Sequence, residues 1–510
     1  LSNSCQKEHL QLIYQLLFTF FTKLILRLNR MKIFRLALLL LLLGAQPSCL
    51  LYGQKVQVSN EFKLPSKSPK FKIIGKSNDG IIVRLFGSED VIEVFSDDLK
   101  LLSSKTIEFK NQEGPLQHVM LNKTGAVIFY LMQDKKMSVL FAQPVNSKFM
   151  EIGKPIAIDT IVDRKDLVAS NLRFKSSADQ SFTFIYYPFF AAGEVQSVRF
   201  ICLDRALQSI YNKNIPIGRE EASLESSRSL IDNSGNACLI LKSQTRNEYN
   251  VFRAAANGDV NAFNISLPKR IFGEPSIESD NKNGNILFSS FYDDAAEPTE
   301  EVANGFLFLS IIAENGEVRD KTITPFDKEF ITSLTGRETR ENGRLYTFNL
   351  KKTVLRNDGG GLVIAESFIK EEREVPMVGI QPGFNTYRTS SIYQFNDIIA
   401  FSFNAKGVVE WNAVMRKKQA SEDDNGAFSS FFIANQKDRL RLIYLDDISS
   451  SSDLNEYVLQ SNGKSERKTL INQEVSDVML LPKSGRQVSP DAVVIPSYKS
   501  GVLKLIKINY

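Results

Sequence analysis

The sequence predicts an all-β fold from three observations. A polar turn recurs eight times, each time ahead of an apolar, strand-like run; a second turn follows inside at least five of these units; and no long helical pattern occurs after residue 70. The first turns are Asn78–Gly80, Asn122–Gly125, Ser177–Gln180, Asp232–Gly235, Asn281–Gly284, Asn357–Gly360, Asn435–Asp438 and Ser489–Asp491, leading into runs such as IIVRLF, AVIFYL and RLRLIYL. Asn, Asp and Gly tolerate the positive φ angles of tight hairpins, so each turn marks a pair of antiparallel strands. The second turns lie near Asp97, Gly258, Gly316, Gly407 and Gly463. Two hairpins per unit make four strands, which is the blade of a β-propeller.

The first turns begin 44, 55, 55, 49, 76, 78 and 54 residues apart. Propeller blades run roughly 40–50 residues, so the longer units carry insertions. The prediction is therefore eight blades of four antiparallel strands over residues 55–510, with insertions in blades five to seven. The alternative is seven blades plus a small β-domain, with the break near residues 370–392. Runs such as AVIFYL and GFLFLSII are apolar on both faces and suit sheets flanked on both sides by other sheets. The 36 phenylalanines suit blade-to-blade contacts, whereas a single tryptophan, Trp411, excludes a repeating tryptophan dock. The run Val502–Ile508 is expected to pair with strand material near Lys55–Lys63 or with blade eight itself.

The N-terminal region reads as an address. Met31–Arg35 is a short basic start, followed by the leucine run Leu36–Leu43, Gly44 and Ala45, the order of a secretory signal peptide over residues 31–54. Its apolar core is shorter than the ~20 residues of a spanning helix. Residues 1–30 read as an upstream extension outside the mature protein, and their apolar stretch is interrupted by Lys23 and Arg27. The expectation is an exported chain without a stable membrane span, in the periplasm or at the cell surface. Cys49 offers lipoprotein anchoring as an alternative, although Gln46 and Pro47 depart from a lipobox. In blade rhythm and in the signal ending Leu51-Tyr52-Gly53-Gln54, the chain resembles exported β-propeller-like proteins of Bacteroidota-type bacteria with unassigned function. That resemblance implies an envelope location and transfers no site residue.

Several chemistries are poorly supported. The net charge is only +5 with both signs mixed along the chain, so no basic face for nucleic acid is evident. The two histidines, His9 and His118, cannot build a multi-histidine metal centre, and His118 sits in a strand-like run where a structural role is expected. Cys202 and Cys238 read as buried thiols, with a disulfide as the alternative. No GxGxxG, complete P-loop, HExxH, GxSxG or EF-hand loop is present. Ser402–Trp411 loosely resembles the aspartate box of sialidase-type blades and the blade end of quinoprotein propellers. It occurs once, and is read as an outer hairpin whose tryptophan packs between blades.

The insertions point to a binding face. In a four-stranded blade with strands a to d, the a–b and c–d turns share one face, and the b–c loops and blade-to-blade connections share the other. The long excursions Asp293–Gly305, Asp327–Gly343, Lys370–Tyr393, Arg416–Gly426 and Asp446–Asn455 all belong to the second class and to neighbouring blades. Binding residues favour loops held by a rigid scaffold. The polar candidates there are Arg337, Arg340, Tyr387, Arg388, Lys417, Lys418, Asp423, Asp424, Asp446 and Asp447. No cofactor is expected, although the adjacent acids could help to hold Ca²⁺, which takes six to eight oxygens. The expected function is non-enzymatic binding or scaffolding of a protein, peptide or glycan of the cell envelope. The alternative is a carbohydrate-active hydrolase or lyase with carboxylate, Arg or Tyr groups near the propeller channel.

Overall fold

Each of the eight turn-and-run units becomes one antiparallel sheet, with its predicted first turn between strands a and b. The computed structural model describes residue 17 and residues 55–63, 70–86, 90–107, 116–122, 125–133, 137–161, 171–191, 194–217, 227–294, 302–336, 345–346, 348–377, 386–448, 452–472, 479–499 and 501–510. The predicted signal peptide, His9, Cys5 and Cys49 lie outside these residues.

Strands a to d of blade 1 are Phe71–Ser77, Gly80–Phe86, Asp90–Phe95 and Leu101–Thr106; those of blade 2 are Leu116–Asn122, Gly125–Gln133, Ser138–Asn146 and Ile156–Ile161. Blade 3 is Arg173–Ser176, Phe182–Ala191, Glu194–Asp204 and Ser209–Pro216, and blade 4 is Arg228–Ile231, Ala237–Lys242, Glu248–Ala254 and Val260–Ser266. Blade 5 is Arg270–Asp280, Asn285–Asp293, Gly305–Ile312 and Val318–Pro325, and blade 6 is Phe348–Leu355, Gly361–Met377, Thr386–Phe403 and Val409–Met415. Blade 7 is Phe432–Asn435, Arg439–Leu445, Leu454–Gln460 and Ser465–Ile471. In blade 8, strands a to c are Arg486–Ser489, Ala492–Lys499 and Val502–Asn509, and strand d is the N-terminal segment Lys55–Val58.

The sheets stand side by side around an axis. Strand a of blade 1 lies beside the a strands of blades 8 and 2, and the a strands of blades 3, 4, 5 and 6 follow one another. Blade 7 joins blade 8 where the Asn435 amide donates to Gln487 Oε1 (3.0 Å) and Gln487 Nε2 donates to the Asn435 carbonyl (2.8 Å). The chain is an eight-bladed β-propeller. The predicted rival boundary at 370–392 falls inside blade 6, whose strands b and c run on past the sheet as a paired ribbon.

Stacking explains the apolar runs. Along strand b of blade 3, Phe184 and Tyr186 pack towards blade 4 with Ile231, Leu239 and Phe252. Ile185 and Tyr187 pack towards blade 2 with Val127, Phe129 and Leu131. Side chains alternate across a strand, so a sheet buried on both flanks needs apolar residues at every position. Strand b of blade 5 is buried along its whole length, while strand d of blade 1 is almost wholly exposed. Phenylalanine fills the blade 5–6 seam, where Phe306 meets Phe401 edge-on (centroids 4.7 Å) and Phe308 meets Phe403 (4.8 Å). Each such ring contributes roughly 1.5–3 kcal/mol by leaving water.

The outer turns repeat a geometry rather than a sequence. In blades 1, 2, 3, 4, 6 and 7 the c–d turn closes with the same two backbone hydrogen bonds, as in Ser96 N–H to Lys100 O and Leu99 N–H to Ser96 O. The residue that takes left-handed φ is Leu99, Phe149 and Leu207 in blades 1 to 3, and Gly258, Gly407 and Gly463 in blades 4, 6 and 7. The three bulky side chains turn into the seam with the preceding blade. Leu99, for example, packs with Leu503 and Leu505 of blade 8.

The N-terminal segment closes the ring. Lys55–Val58 pairs with Ile506–Asn509, and Phe62–Lys63 pairs farther along the same strand with Val502 and Leu503. Between them, Ser59 exchanges two hydrogen bonds with Leu505, each 2.9 Å. Strand c of blade 8 also pairs with strand b of its own sheet, so both expected partners of Val502–Ile508 are realised.

Candidate functional site

The blade geometry sorts the connections by face. All five predicted excursions leave from the face opposite the tight a–b and c–d turns, on blades 5, 6 and 7. The blade 5 to 6 connection holds a helix, α1 (Lys328–Thr335). The Asp327 carboxylate accepts from Phe330 N–H (2.6 Å) and caps its start, Gly336 at φ 70° ends it, and Ile331 is buried in the blade 5–6 core. Val302–Ala303 pairs with Leu345–Tyr346, tying the blade 5 b–c excursion to the same connection.

The largest feature among the described residues of this face is the blade 6 ribbon, paired from Phe368↔Phe395 out to Met377↔Thr386. Gln419–Glu422, from the blade 6 to 7 connection, pairs with Ile392–Phe395 and widens its base to three strands. Phe368 and Phe395 touch at 4.8 Å between centroids, and Lys483 Nζ sits 4.3 Å from the Phe395 ring. Beneath them Lys417 Nζ pairs with the Glu366 carboxylate at 2.8 Å, both side chains fully buried. Lys417 also donates to Phe395 O (2.7 Å) and Gln419 Oε1 (2.8 Å), and Ser430 Oγ donates to Glu366 (2.6 Å). Burial lowers the Lys417 pKa, against the pull of Glu366. Such a pair costs desolvation and holds one geometry, so it anchors the ribbon.

The structure distributes the predicted residues unevenly. Tyr387 and Arg388 stand exposed on the ribbon, with Arg388 Nη1 3.8 Å from Asp423. Lys418 is exposed, but Lys417 turns inward and is a buried structural group rather than a loop-surface one. Asp423 accepts from Ser391 N–H (2.8 Å), and Asp424 accepts from Ser421 Oγ and Gly426 N–H (both 2.7 Å). Asp446 pairs with Arg467 at 2.7 Å, and Asp447 accepts from Ile448 N–H at 2.7 Å. These carboxylates are engaged in shaping their loops. Among the described residues no three His, Cys, Asp or Glu side chains gather as a metal site. Arg337 and Arg340 lie outside the described residues.

A second concavity occupies the channel at the tight-turn mouth. It measures about 730 Å³ and is walled by the a strands and a–b turns of blades 8, 1, 2 and 3. Lys72, Lys175, Arg486, His118 and Phe174 line it, and among the described residues none of those lining it is Asp or Glu. That described lining holds no carboxylate pair of the kind glycoside hydrolases use. His118 stacks on Phe174 (centroids 4.7 Å, 6° between planes), and burial, helped by Lys72 and Arg84, lowers its pKa to about 4. The imidazole is thus neutral at pH 7. A smaller cavity, about 570 Å³, lies on the same side at the blade 6–7 seam beside Trp411. Trp411 donates from Nε1 to Ser461 O (3.0 Å) across that seam, as expected for an outer-hairpin tryptophan. Cys202 and Cys238 are free, buried thiols, and burial pushes both up to about 12.

No protein-family model matches the chain, and no curated protein matches it significantly in sequence. Solved structures do resemble it. An uncharacterized protein from Listeria monocytogenes shares 10% identity at a TM-score of 0.37, over 78% of this chain and 95% of that one. The polysaccharide lyase Uly1 shares 8% at 0.39, over 89% and 99%. YCF48, solved bound to a D1 peptide, shares 9% at 0.33, over 88% and 95%. None of these likenesses bears on what this chain binds. Among the described residues, no helix is long and apolar enough to cross a membrane.

The channel cations are the residues that sequence reasoning missed. Their signal is the basic residue in three a strands, FKIIGK, RFKS and RQVS, which becomes meaningful once those strands are known to face the axis.

Proposed function

We propose that this chain is an exported binding propeller of the cell envelope that holds a protein, peptide or glycan on its blade 5–7 loop face. The observation that carries the reading is the clustering of every predicted long excursion on neighbouring blades and one face, with the blade 6 ribbon anchored by the buried Lys417–Glu366 pair. A rigid stalk carrying an exposed aromatic next to a guanidinium supplies the side-chain types that dominate recognition surfaces. Tyr387, 56% exposed, and Arg388 occupy that place. The signal-like residues 31–54 support export, and an exported chain would meet its partner outside the cytoplasm.

The test compares the full chain with a Tyr387→Ala/Arg388→Ala variant against a glycan array and detergent-solubilised envelope proteins. The expected result is a partner retained by the parent and lost by the variant at unchanged melting temperature. Capture that is indifferent to the ribbon substitutions overturns the reading.

A further inference from the structure

We propose that the cavity at the tight-turn mouth of the channel binds a small organic polyanion, a ligand carrying two or more carboxylate, sulfate or phosphate groups. The site lies on the face opposite the blade 6 ribbon, so it stands or falls independently of the loop-face reading.

Charge balance is the first argument. Lys72, Lys175 and Arg486 open into the cavity from three different blades, and among the described residues none of them forms an ion pair. Lys76, also in the wall, is by contrast engaged by Asp97 at 2.6 Å. On another inner seam, Arg228 of blade 4 pairs with Glu274 of blade 5. Glu278 of blade 5 is the carboxylate that feels Lys175, and it lies outside the cavity lining. The described lining of the cavity thus carries surplus positive charge, and a concave low-dielectric wall focuses such a field.

The second argument is that these cations oppose one another. Burial, Arg486 and Arg84 all depress the Lys72 ammonium below its ordinary value. Arg84 is itself held by Asp90 (2.9 Å) and by the Leu116 carbonyl (2.8 Å), so it cannot move away. An anion between Lys72 and Arg486 relieves this repulsion and gains charge-assisted hydrogen bonds. The volume of about 730 Å³ falls within the range of small-ligand sites. Phe174 and the neutral His118 add a flat apolar floor for the ligand's carbon skeleton.

The experiment is calorimetric titration of the full chain at low ionic strength with trigalacturonate, with pyrophosphate, and with neutral maltotriose. At least one anion is expected to bind, maltotriose is not, and added salt weakens the affinity. Trigalacturonate alone identifies an acidic sugar, pyrophosphate alone a phosphorylated ligand, and both a general polyanion site. The Lys72→Gln/Arg486→Gln variant is expected to bind about tenfold or more weakly, since it removes two charge-assisted hydrogen-bond donors. Lys76→Gln is expected to weaken binding less, because Asp97 already takes that charge. His118 reports from inside the cavity without any substitution: its imidazole pKa, about 4 in the free protein, rises when an anion is seated beside it. No binding by either anion, equal losses in the Lys76→Gln and double variants, or an unmoved His118 titration at saturation overturns the proposal.

Discussion

Gly463, in the c–d turn of blade 7, lies against the indole of Trp411 in strand d of blade 6: a Cβ built there would stand 2.8 Å from both Cδ2 and Cε3. Gly407 is pressed in the same way by Phe308 of blade 5, at 2.3 Å. The turns of blades 1 to 3 reverse the arrangement, since Leu99, Phe149 and Leu207 supply the bulk from the turn itself. Either the turn or the blade before it fills the seam.

Gly463→Ala therefore combines a left-handed φ of 84° with a clash. The expected cost is about 2 kcal/mol, of the size found for single residues held in unfavourable backbone regions. Trp411 is the single tryptophan, so a red shift of its emission reports the displaced indole directly. Trp411→Ala removes the clash but leaves the backbone cost, so the double variant should lose less than the sum of the single ones. Additive losses would place the strain elsewhere.

Lys417→Met is expected to destabilise the propeller by about 3–5 kcal/mol, because it strands the Glu366 carboxylate in the interior. Adding Glu366→Leu should recover much of that loss. Urea unfolding followed by circular dichroism measures both. A single variant as stable as the parent would show that Lys351, 3.4 Å from Glu366, compensates alone.

His118 gives a pH signature. Its folded pKa, about 4, lies below the ordinary 6.5, so the unfolded chain binds more protons between these values. The His118 contribution to stability is therefore fully present above about 6.5 and is lost as pH falls towards 4. Melting temperatures across that window should flatten in His118→Phe, and an unchanged slope would assign the effect to other groups.

Removing the residues before Leu64 deletes the outer strand of blade 8 and leaves Val502–Asn509 as an unpaired edge. The expected outcome is a lower melting temperature and a concentration-dependent oligomer on size-exclusion chromatography, because exposed edges recruit other chains. A monomer of unchanged stability would contradict the closure.

The blade count was legible because all eight a–b turns use Asn, Asp, Ser or Gly, residues chosen by local backbone geometry. The c–d turns of blades 2 and 3 were not, because Phe149 and Leu207 hold the left-handed position there and are tolerated through burial in a seam. The ribbon reads as a loop in sequence: EEREVP and TYRTSS alternate no apolar face, since the hairpin leaves the sheet before it can bury one. Lys417 reads as a surface charge because its partner lies on another strand, and only the tertiary fold reveals the burial. Tyr387 and Arg388 lie exposed on that ribbon.

The pairing of Lys55–Val58 with Ile506–Asn509 also orders events in time. The earliest segment of the disc to be synthesised must wait, unmatched, for the last, and until then the assembly is a horseshoe with two raw flanks. Drawing together segments some 450 residues apart costs about 5 kcal/mol of chain entropy by the logarithmic loop law, a debt that stacking seams can lower by building the arc first. Slow completion and vulnerability to proteases before the latch engages are built into this architecture.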